Sequence, residues 1–516
     1  MSIEFYYLDF FSIISLIFLS FSFVKNFDQK KEKIFVNADY EHYPNTWDEM
    51  FKNDGKVRKS YKFLEKFLNN SSFESIKEKQ DFSDQFFMNQ GITFTVYDND
   101  QGIERIFPFD ILPRIIKPNE WDTIEKGIVQ RVKALNLFLK DIYNDQYILK
   151  DQIFPSRLLL TNPYFLTQMK GLKAPLDVYT HVSGVDLIRN NDGKFYVLED
   201  NLRTPSGVCY MLENREVSRK LFPSIFPNQN VSTVSSYPQV LYNQLASLVN
   251  KSKPTIVLLT PGSFNSAYYE HTTLARLMGV ELVEGKDLVV DNNFVFMKTA
   301  TGLQKVDVIY KRIDDEFIDP LVFNDSSYLG IAGIMNVYRS GNVVLANAPG
   351  AGIADDKASY VYVPEMIKYY LNEQPILNNI NTFQLGKPDE LDHVLKNINK
   401  MVIKKTDGSG GYGMLMGSNS SDEEIDKYVK QIKKNPSNFI AQPTLNLSTT
   451  PCIIDESLSP RCVDLRPFAI FGGEGIKVCP GGLSRVALKK GSLVVNSSQG
   501  GGSKDTWVLE KNHNVK

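Results

Sequence analysis

Hydrophobic and polar positions follow helical spacing in some stretches of the chain and strand spacing in others. Residues 120–144 carry apolar side chains at i, i+3, i+4 and i+7, which predicts an amphipathic helix. Residues 91–97, GITFTVY, alternate as a strand does. Between residues 254 and 320, strand patterns at PTIVLLTPG, VELVEG and VDVIYKR surround a helical segment, SAYYEHTTLARLMG. This order predicts an open α/β unit.

Two further strand patterns flank the turn RNNDGK at residues 189–194, which predicts a β-hairpin. Glu199 and Asn201 are two residues apart, so they point to the same face of their strand. Asp186 belongs to the other strand of the pair. Oxygen ligands of this kind suit Mg²⁺. The hairpin therefore predicts a magnesium site, with a solvated strand of ordinary polar residues as the alternative.

The stretch MVIKKTDGSGGYGMLMG at residues 401–417 predicts two strands joined by a glycine-rich loop. Glycines let successive N–H groups turn toward one anion, and the strand lysine Lys404 supplies a positive charge. The loop lacks GK[ST] and joins two strands, so it is neither a Walker loop nor a dinucleotide fingerprint. A flexible hairpin is the alternative to phosphate binding. The candidate loop residues are Gly408, Ser409, Gly410, Gly411, Tyr412 and Gly413.

The segments around this loop carry further candidates. A helix predicted over 355–372 places Lys357 at its start, and the strand NFIAQPTL at 438–445 offers Gln442 and Pro443 to an adenine edge. Later strands carry Arg466 in VDLRPFAIFGG, and Arg485 and Asn496 in GGLSRVALKKGSLVVNSSQGGG. Surface lysines and an ordinary strand end are the alternatives.

The stretch VIYKRIDDEF at residues 308–317 ends a strand of the α/β unit. In open α/β sheets ligands bind at the C-terminal ends of the strands. Tyr310, Arg312, Asp314 and Asp315 are therefore candidates for substrate recognition. Helix capping by the two aspartates is an equally good interpretation.

Composition narrows the function classes. The chain has 516 residues, 42% of them hydrophobic and 23% charged, with a net charge of −2, which gives no electrostatic reason to expect a nucleic-acid partner. Five histidines show no zinc-like spacing, and four cysteines form no CxxC pair. This cysteine usage predicts a reduced, cytoplasmic compartment. No Ser, Cys or His is arranged as an activated nucleophile.

The first 34 residues differ from the rest of the chain. Residues 10–24, FFSIISLIFLSFSFV, are apolar and are followed by lysines. Fifteen residues are short for a membrane-spanning helix. We expect a tail outside the fold; a membrane anchor is the alternative, and membrane contact is expected through residues 1–34 if at all.

The order of these motifs resembles that of the ATP-grasp ligases. In those families a lysine, a lysine with a glycine loop, a hinge strand, an Arg-containing strand and an Arg–Asn pair come first, and a strand pair with Asp and Glu-x-Asn follows. Here the last element stands at residues 186–201, before the others. This order resembles the circularly permuted ATP-grasp proteins, among them the synthetase part of glutathionylspermidine synthase. The resemblance covers roughly residues 40–510.

The resemblance implies an α/β fold with α+β elements. We expect a circularly permuted ATP-grasp fold with a Rossmann-like pre-ATP-grasp unit and an N-terminal helical region. The implied boundaries are 35–215 for the helical region with the permuted metal-binding part, 235–350 for the Rossmann-like unit, 351–447 for the nucleotide-binding lid subdomain, and 448–516 for the remaining core sheet.

The resemblance also implies ATP and Mg²⁺ as cofactors. Asp186, Glu199 and Asn201 would bind the metal. Related ligases often carry an arginine two residues before the metal-binding aspartate, where this chain has Gly184. The implied catalytic residues are Arg485, Arg203 and Asn496. The implied ATP-binding residues are Lys357, Lys404, the loop residues 408–413, Gln442 and Pro443.

The implied function is an ATP-dependent carboxylate–amine ligase that forms a C–N bond through an acyl phosphate, with ADP and phosphate as products. Its partners would be small-molecule or peptide carboxylate and amine substrates. The alternative is a nucleotide-binding regulatory or scaffolding protein without ligase activity.

Overall fold

The computed structural model describes residues 40–98, 101–406, 413–454, 457–495 and 500–511. Among these residues no helix is long and apolar enough to span a bilayer. The strands are β1 (Thr93–Asp98), β2 (Gln101–Ile106), β3 (Phe109–Ile116), β4 (Val182–Arg189), β5 (Phe195–Asn201), β6 (Ile256–Leu259), β7 (Glu281–Val283), β8 (Leu288–Asp291), β9 (Phe294–Thr299), β10 (Gly302–Lys305), β11 (Val308–Lys311), β12 (Val344–Ala346), β13 (Asn378–Asn379), β14 (Phe383–Gln384), β15 (Met401–Lys405), β16 (Leu415–Met416), β17 (Phe439–Pro443), β18 (Thr449–Ile454), β19 (Ser457–Arg466), β20 (Phe468–Gly472), β21 (Gly475–Val478), β22 (Leu483–Val486) and β23 (Gly502–Val508).

The α-helices of the described residues lie between and beside these strands. They are α1 (Lys62–Asn69), α2 (Phe73–Asn89), α3 (Pro118–Tyr143), α4 (Tyr147–Lys150), α5 (Ser156–Leu160), α6 (Val208–Leu221), α7 (Tyr237–Ala246), α8 (Tyr268–Met278), α9 (Ile334–Arg339), α10 (Gly352–Asp355), α11 (Lys357–Tyr360), α12 (Val363–Leu371), α13 (Pro388–Lys396) and α14 (Asp422–Lys434).

A ten-stranded sheet joins chain segments that are far apart in sequence. Its main path runs β13-β5-β4-β19-β22-β23-β3. The predicted hairpin β4–β5 lies near one end of this path, between β13 and β19, and β4 pairs antiparallel with β19 so that Leu187 faces Leu465. Apolar side chains of β4, such as Val185 and Leu187, are fully buried against the core. The early hairpin therefore completes a sheet made largely of late strands, which is what the predicted permutation requires.

Helix α3 packs across the back of this sheet. The sequence predicts one apolar face, but most of the helix is buried, because it contacts one core cluster through Ile124 and Ile128 and another through Leu135 and Phe138. Arg131 of α3 forms a buried ion pair with Asp200 of β5, with Nε 2.6 Å from the carboxylate. A helix between two cores buries polar residues as well, provided that each has a partner.

The predicted open α/β unit is a four-stranded parallel sheet in the order β12-β11-β6-β7. Helix α8 follows β6 and ends at Gly279, whose φ of +67° is the left-handed conformation that glycine adopts easily at a helix end.

The segment that the sequence predicts as the lid subdomain contains a separate antiparallel sheet, β14-β17-β15-β16, which we call the lid sheet, with helices α13 and α14. Its own core includes Leu385, Ile403, Ile432 and Phe439. The single helix predicted over 355–372 is wrong in detail, since the structure has three short helices, α10, α11 and α12. Extended backbone at Asp356 interrupts the first two, and Pro364 stands in the first turn of the third.

Candidate active site

The strand that carries Lys404 and the strand that carries Glu199 line one pocket between the lid sheet and the large sheet. The permutation hypothesis requires this, since the two residues are distant in sequence. The apolar lining comprises Leu198, Val402, Met414, Met416, Pro443, Leu445, Leu447, Leu493, Val494 and Val495. The polar lining comprises Asp186, Glu199, Lys357, Lys404, Lys405, Gln442, Asp464 and Arg485. Such a pocket offers apolar surface to a flat base and positive charge to phosphates.

Lys404 is held by a short chain of hydrogen bonds. Its Nζ donates to Gln442 Oε1 at 2.9 Å. Gln442 Nε2 in turn donates to Thr382 Oγ1 at 3.0 Å. The Gln442 side chain therefore orients the lysine. Burial, together with the positive charge of Lys357, lowers the pKa of Lys404 to about 8, and Glu199 offsets part of this effect.

Two carboxylates face each other on the hairpin. Asp186 and Glu199 are direct cross-strand partners, and Gly184 is opposite Asn201. Like charges at opposed positions repel each other, so nearby cations are needed. Lys357, the first residue of α11, places Nζ 3.4 Å from Glu199 Oε2.

Asp186 is held by two arginines from the late strands. Arg466 binds it through Nε at 2.5 Å and Nη2 at 2.7 Å. Arg485 donates to the same carboxylate through Nη2 at 2.7 Å. It also donates to Asp464 through Nε at 3.0 Å. Burial opposes ionisation of Asp186, but the two guanidinium groups outweigh it and hold the pKa of this carboxyl well below its usual range.

The sequence offers Arg466 as a candidate without a defined partner, and Gly184 explains its position beside Asp186. A Cβ added at Gly184 would lie 3.2 Å from Arg466 Cδ and 3.2 Å from Pro205 Cβ. The space that a side chain at 184 would need is therefore filled by Arg466. The available signal was the arginine of VDLRPF combined with a glycine where related ligases carry arginine.

The oxygen donors on this face fit Mg²⁺ in chemistry. Asn201 donates its amide Nδ2 to Gly184 O at 3.2 Å, which leaves its amide oxygen as the acceptor. The described residues contain no group of three His, Cys, Asp or Glu side chains that could hold a metal, and the predicted set has only two carboxylates beside the amide. Mg²⁺ commonly takes one or two carboxylates and completes its shell with phosphate oxygens and water.

Arg203 lies apart from the pocket lining. Its guanidinium pairs with Asp355 at 3.2 Å and stacks over the ring of Tyr164 at 4.3 Å. Burial lowers the pKa of Arg203, but the Asp355 carboxylate outweighs this effect and raises that pKa above its usual value. Arg203 is therefore not among the residues that line the pocket with Arg485, and its catalytic role stays a prediction.

The four substrate candidates at the end of β11 are largely engaged within the fold. Arg312 is buried and donates to Pro205 O at 2.8 Å and to Ser206 Oγ at 2.6 Å. Tyr310 lies 3.2 Å from the same guanidinium. Asp315 pairs with Lys311 at 2.7 Å and accepts from Gly350 N–H at 2.8 Å. Asp314 precedes a short 3₁₀ turn without capping it through its side chain. Their role in substrate recognition stays a prediction.

Several predicted residues lie outside the described residues: Gly408, Ser409, Gly410, Gly411, Tyr412 and Asn496. Gly413 is described, with a φ of +65°, and its carbonyl accepts from Tyr428 OH at 2.6 Å. Pro443 lines the pocket and pairs with Met401 at the end of the lid strands.

The cysteines offer no activated thiol. All four are free and buried. Burial raises the pKa of the Cys209 thiol well above its usual value, and the nearby Glu270 carboxylate raises it further. A thiol in this environment stays protonated and is a poor nucleophile.

Fold and pocket together define the class of protein: an α/β protein in which hairpin carboxylates and late-strand arginines meet at one pocket. The circularly permuted ATP-grasp type 2 family matches residues 113–487. The chain therefore belongs to the circularly permuted ATP-grasp proteins, which confirms the predicted family and fold class.

Close relatives cover nearly the whole chain. An uncharacterised Synechocystis protein is 50% identical over 468 residues, which are 90% of this chain and 97% of that protein. An uncharacterised Mycobacterium tuberculosis protein is 50% identical over 469 residues, or 90% of this chain and 84% of that one. A Frankia alni protein with the provisional name glutamate–cysteine ligase 2-3 is 38% identical over 476 residues, or 90% of this chain but 54% of that protein.

A solved structure shares the fold. The apo form of a glutathione synthetase-like effector from Globodera pallida matches with a TM-score of 0.56 and 11% identity, covering 85% of this chain and 98% of that chain. This likeness supports the fold alone. Family membership implies use of ATP, and together with the relative named as a ligase it supports an ATP-dependent ligase in general.

Proposed function

We propose that this protein is an ATP- and Mg²⁺-dependent carboxylate–amine ligase that acts through an acyl phosphate. The observation that carries the proposal is the shared pocket: apolar side chains, three lysines, and the carboxylates of Asp186 and Glu199 line one space, with Arg485 beside Asp186. Phosphoryl transfer requires mainly positioning and charge compensation, with little covalent chemistry by the protein.

The nucleotide would lie along the lid strands. The apolar side chains of Val402, Met414 and Met416 would contact the base. The end of β17 at Gln442 and Pro443, beyond its pairing with β14, would face the polar atoms of the base. Lys404 and Lys357 would bind the phosphates. Lys404 is already oriented by Gln442, so less side-chain freedom is lost when a phosphate binds.

Asp186, Glu199 and Asn201 would hold Mg²⁺. The ion would supply charge neutralisation at the phosphate oxygens. Arg485 and Arg466 hold Asp186 ionised and in place. Arg485, which lines the pocket, would also place positive charge near the transferring phosphoryl group, where negative charge rearranges.

The reaction balances without an enzyme nucleophile. An oxygen of the substrate carboxylate attacks the γ-phosphorus, a new P–O bond forms, and the bond to the β-phosphate oxygen breaks, releasing ADP. The amine nitrogen then attacks the acyl carbon, phosphate leaves, and the nitrogen loses a proton to solvent or a nearby base. The buried cysteines are consistent with this scheme, since no thiol is needed.

The name of the Frankia relative makes L-glutamate and L-cysteine reasonable first candidates. That relative is about twice as long as the matched region, however, so its name does not by itself assign this reaction to the matched half. The acid and amine are therefore best sought with a panel of amino acids and short peptides that includes these two.

The test supplies single carboxylic acids from this panel with ATP, Mg²⁺ and hydroxylamine, without an amine substrate. A ligase of the proposed type should release ADP and form the hydroxamate of its acid, because hydroxylamine traps acyl phosphates. The Glu199→Gln variant should form none. Transfer of AMP with release of pyrophosphate would contradict the mechanism. ATP binding without ADP release for any acid would favour the nucleotide-binding regulatory alternative.

A further inference from the structure

A second crevice of about 540 Å³ lies beside the active-site pocket and on the other side of residues 356–358. One wall belongs to the lid subdomain and the other to the segment 155–163 and the start of α11; we call it the hinge crevice. Its lining residues include Arg157, Asn162, Asp356, Gln384, Thr406 and Ser437. A space of this size holds an amino acid or a short peptide.

Asp356 presents an unsatisfied oxygen in this crevice. The residue is 3% exposed. Its Oδ1 accepts from Ala358 N–H at 2.8 Å and from Ser359 N–H at 3.3 Å, which caps α11. Its Oδ2 is buried and accepts no hydrogen bond of normal geometry within the described residues, with the Asn162 side chain as the neighbouring donor group. Burial raises the pKa of Asp356 to about 6, and its two backbone donors and the neighbouring Asn162 offset part of the rise.

Capping alone does not account for a buried carboxylate here. Asparagine or serine caps a helix as well as aspartate does. A buried charged group costs free energy unless it is paired. The second carboxylate oxygen of Asp356 is therefore available to a cationic group of a ligand, which would complete its hydrogen bonds.

A cation stands at the rim of the same crevice. Arg157 is exposed, and no carboxylate of the described residues forms an ion pair with its guanidinium. Lys387 also lines the crevice but pairs with Glu390 at 2.9 Å, so Arg157 is the better partner for an added anion. The hinge crevice thus combines a buried anionic end with an exposed cationic rim.

We propose that the hinge crevice binds an α-amino acid or a short peptide, with the ligand's ammonium group on Asp356 and its carboxylate on Arg157. Each charged end of such a ligand finds an opposite charge, since one oxygen of Asp356 accepts no hydrogen bond of normal geometry and Arg157 forms no ion pair within the described residues. Neutral residues such as Asn162 and Ser437 line the same crevice and add hydrogen-bonding groups.

The hinge crevice and the active-site pocket share a wall. Lys357, which follows Asp356, reaches Glu199, and its backbone N–H donates to Thr406 O at 3.2 Å, just after the strand of Lys404. A ligand on Asp356 would therefore lie close to the phosphate end of the pocket. The identification of this ligand as the amine substrate rests on the proposed ligase function, whereas the binding of the ligand in the hinge crevice does not.

The test titrates the full-length protein, without nucleotide, with the twenty L-amino acids and with L-alanyl-L-alanine one at a time, by calorimetry at millimolar concentration. At least one should bind. Asp356→Asn and Arg157→Gln should each weaken that binding tenfold or more. Asp392→Asn and Arg219→Gln remove exposed charges outside both pockets, so they should leave it unchanged.

Half-ligands sharpen the assignment. The amine that lacks the carboxylate should be sensitive to Asp356→Asn alone, and the acid that lacks the ammonium group to Arg157→Gln alone. Asparagine still caps α11, so the first variant should fold. Should it fail to fold, the exposed Arg157 still provides a test.

Binding of none of these ligands, or binding unaffected by both substitutions, would overturn the proposal. Hydroxamate formation by a protein that binds no amino acid would refute this inference and leave the ligase proposal intact. Amino-acid binding in a protein that releases no ADP with any acid would do the reverse.

Discussion

Two buried arginine–carboxylate clusters in this protein use the same residue types in different ways. Glu270 and Arg312 are 0% and 3% exposed, and Asp186 and Arg485 are 1% and 6% exposed. Glu270 also accepts from Gly207 N–H at 2.7 Å at the start of α6, while Arg312 donates to a backbone carbonyl. All of these partners are groups of the protein itself, and we call this pair the sealed cluster.

The second cluster, which we call the open cluster, faces a pocket. Asp186 and Arg485 both line it, together with Lys404 and Glu199. Burial and ion pairing therefore do not distinguish a structural pair from a functional one. The difference lies in whether the remaining hydrogen-bonding groups point to the backbone of the fold or to a space that a ligand can enter.

The largest expected effect concerns the open cluster. Glu199→Gln should lower turnover by roughly 1,000-fold, because charge compensation at the transferring phosphate is lost. The melting temperature and the ATP affinity should change little. Steady-state kinetics with the acid found by hydroxamate trapping, and calorimetric titration with ATP, measure the two quantities. If the variant unfolds, or turns over as fast as the wild type, Glu199 has no role in phosphoryl transfer and resembles the structural carboxylate Glu270.

The sealed cluster should show the opposite response. Glu270→Gln leaves the Arg312 charge without its carboxylate in a buried site, which costs about 3 kcal/mol of unfolding free energy. Turnover per folded molecule should stay near that of the wild type. Urea denaturation followed by activity measurement at low temperature separates the two effects. A large loss of activity in a stable Glu270→Gln protein would support the substrate role predicted for the Arg312 region.

A smaller effect is expected for nucleotide binding. At an ATP concentration a hundred times its Kd, the wild type should be stabilised by about 2.7 kcal/mol. Lys404→Ala removes one charge-assisted hydrogen bond, so the same ATP concentration should stabilise it by less than about 1.5 kcal/mol. Lys430→Ala, on the exposed face of α14, is the matched control. Equal stabilisation of Lys404→Ala and wild type would refute the assignment.

The smallest effect is a pH dependence of ATP binding. The pKa of Lys404 in the free protein is about 8, so above this pH the amine is largely neutral. Phosphate favours the protonated form, and ATP binding should therefore take up a proton above pH 8, with affinity falling as the pH rises. Below pH 8 the amine is already charged, and this contribution levels off.

Calorimetry at pH 9 in buffers of different ionisation enthalpy measures that proton uptake. Lys404→Ala should abolish it. Proton release, or uptake that persists in the variant, would show that another group titrates.

The sequence predicts correctly those elements that depend on the local pattern of residues. The hairpin of Asp186 and Glu199, the strands around Lys404 and the parallel sheet of the α/β unit all have periodic patterns and clear turns. The prediction of one continuous helix over 355–372 was wrong, because the extended conformation of Asp356 depends on capping contacts that periodicity does not reveal. The roles of the residues in the site stay predictions.

Sequence alone determined the motif order, and with it the family, because the order and spacing of carboxylates, lysines and glycines can be read directly from the sequence. Only the tertiary structure decided which arginines serve which carboxylates. Arg466 and Arg485 reach Asp186 from strands about 300 positions away, and Arg312 is sealed against Glu270. The physical reason is that charge pairing depends on distance and burial in three dimensions, and neither is encoded in the spacing of any single segment.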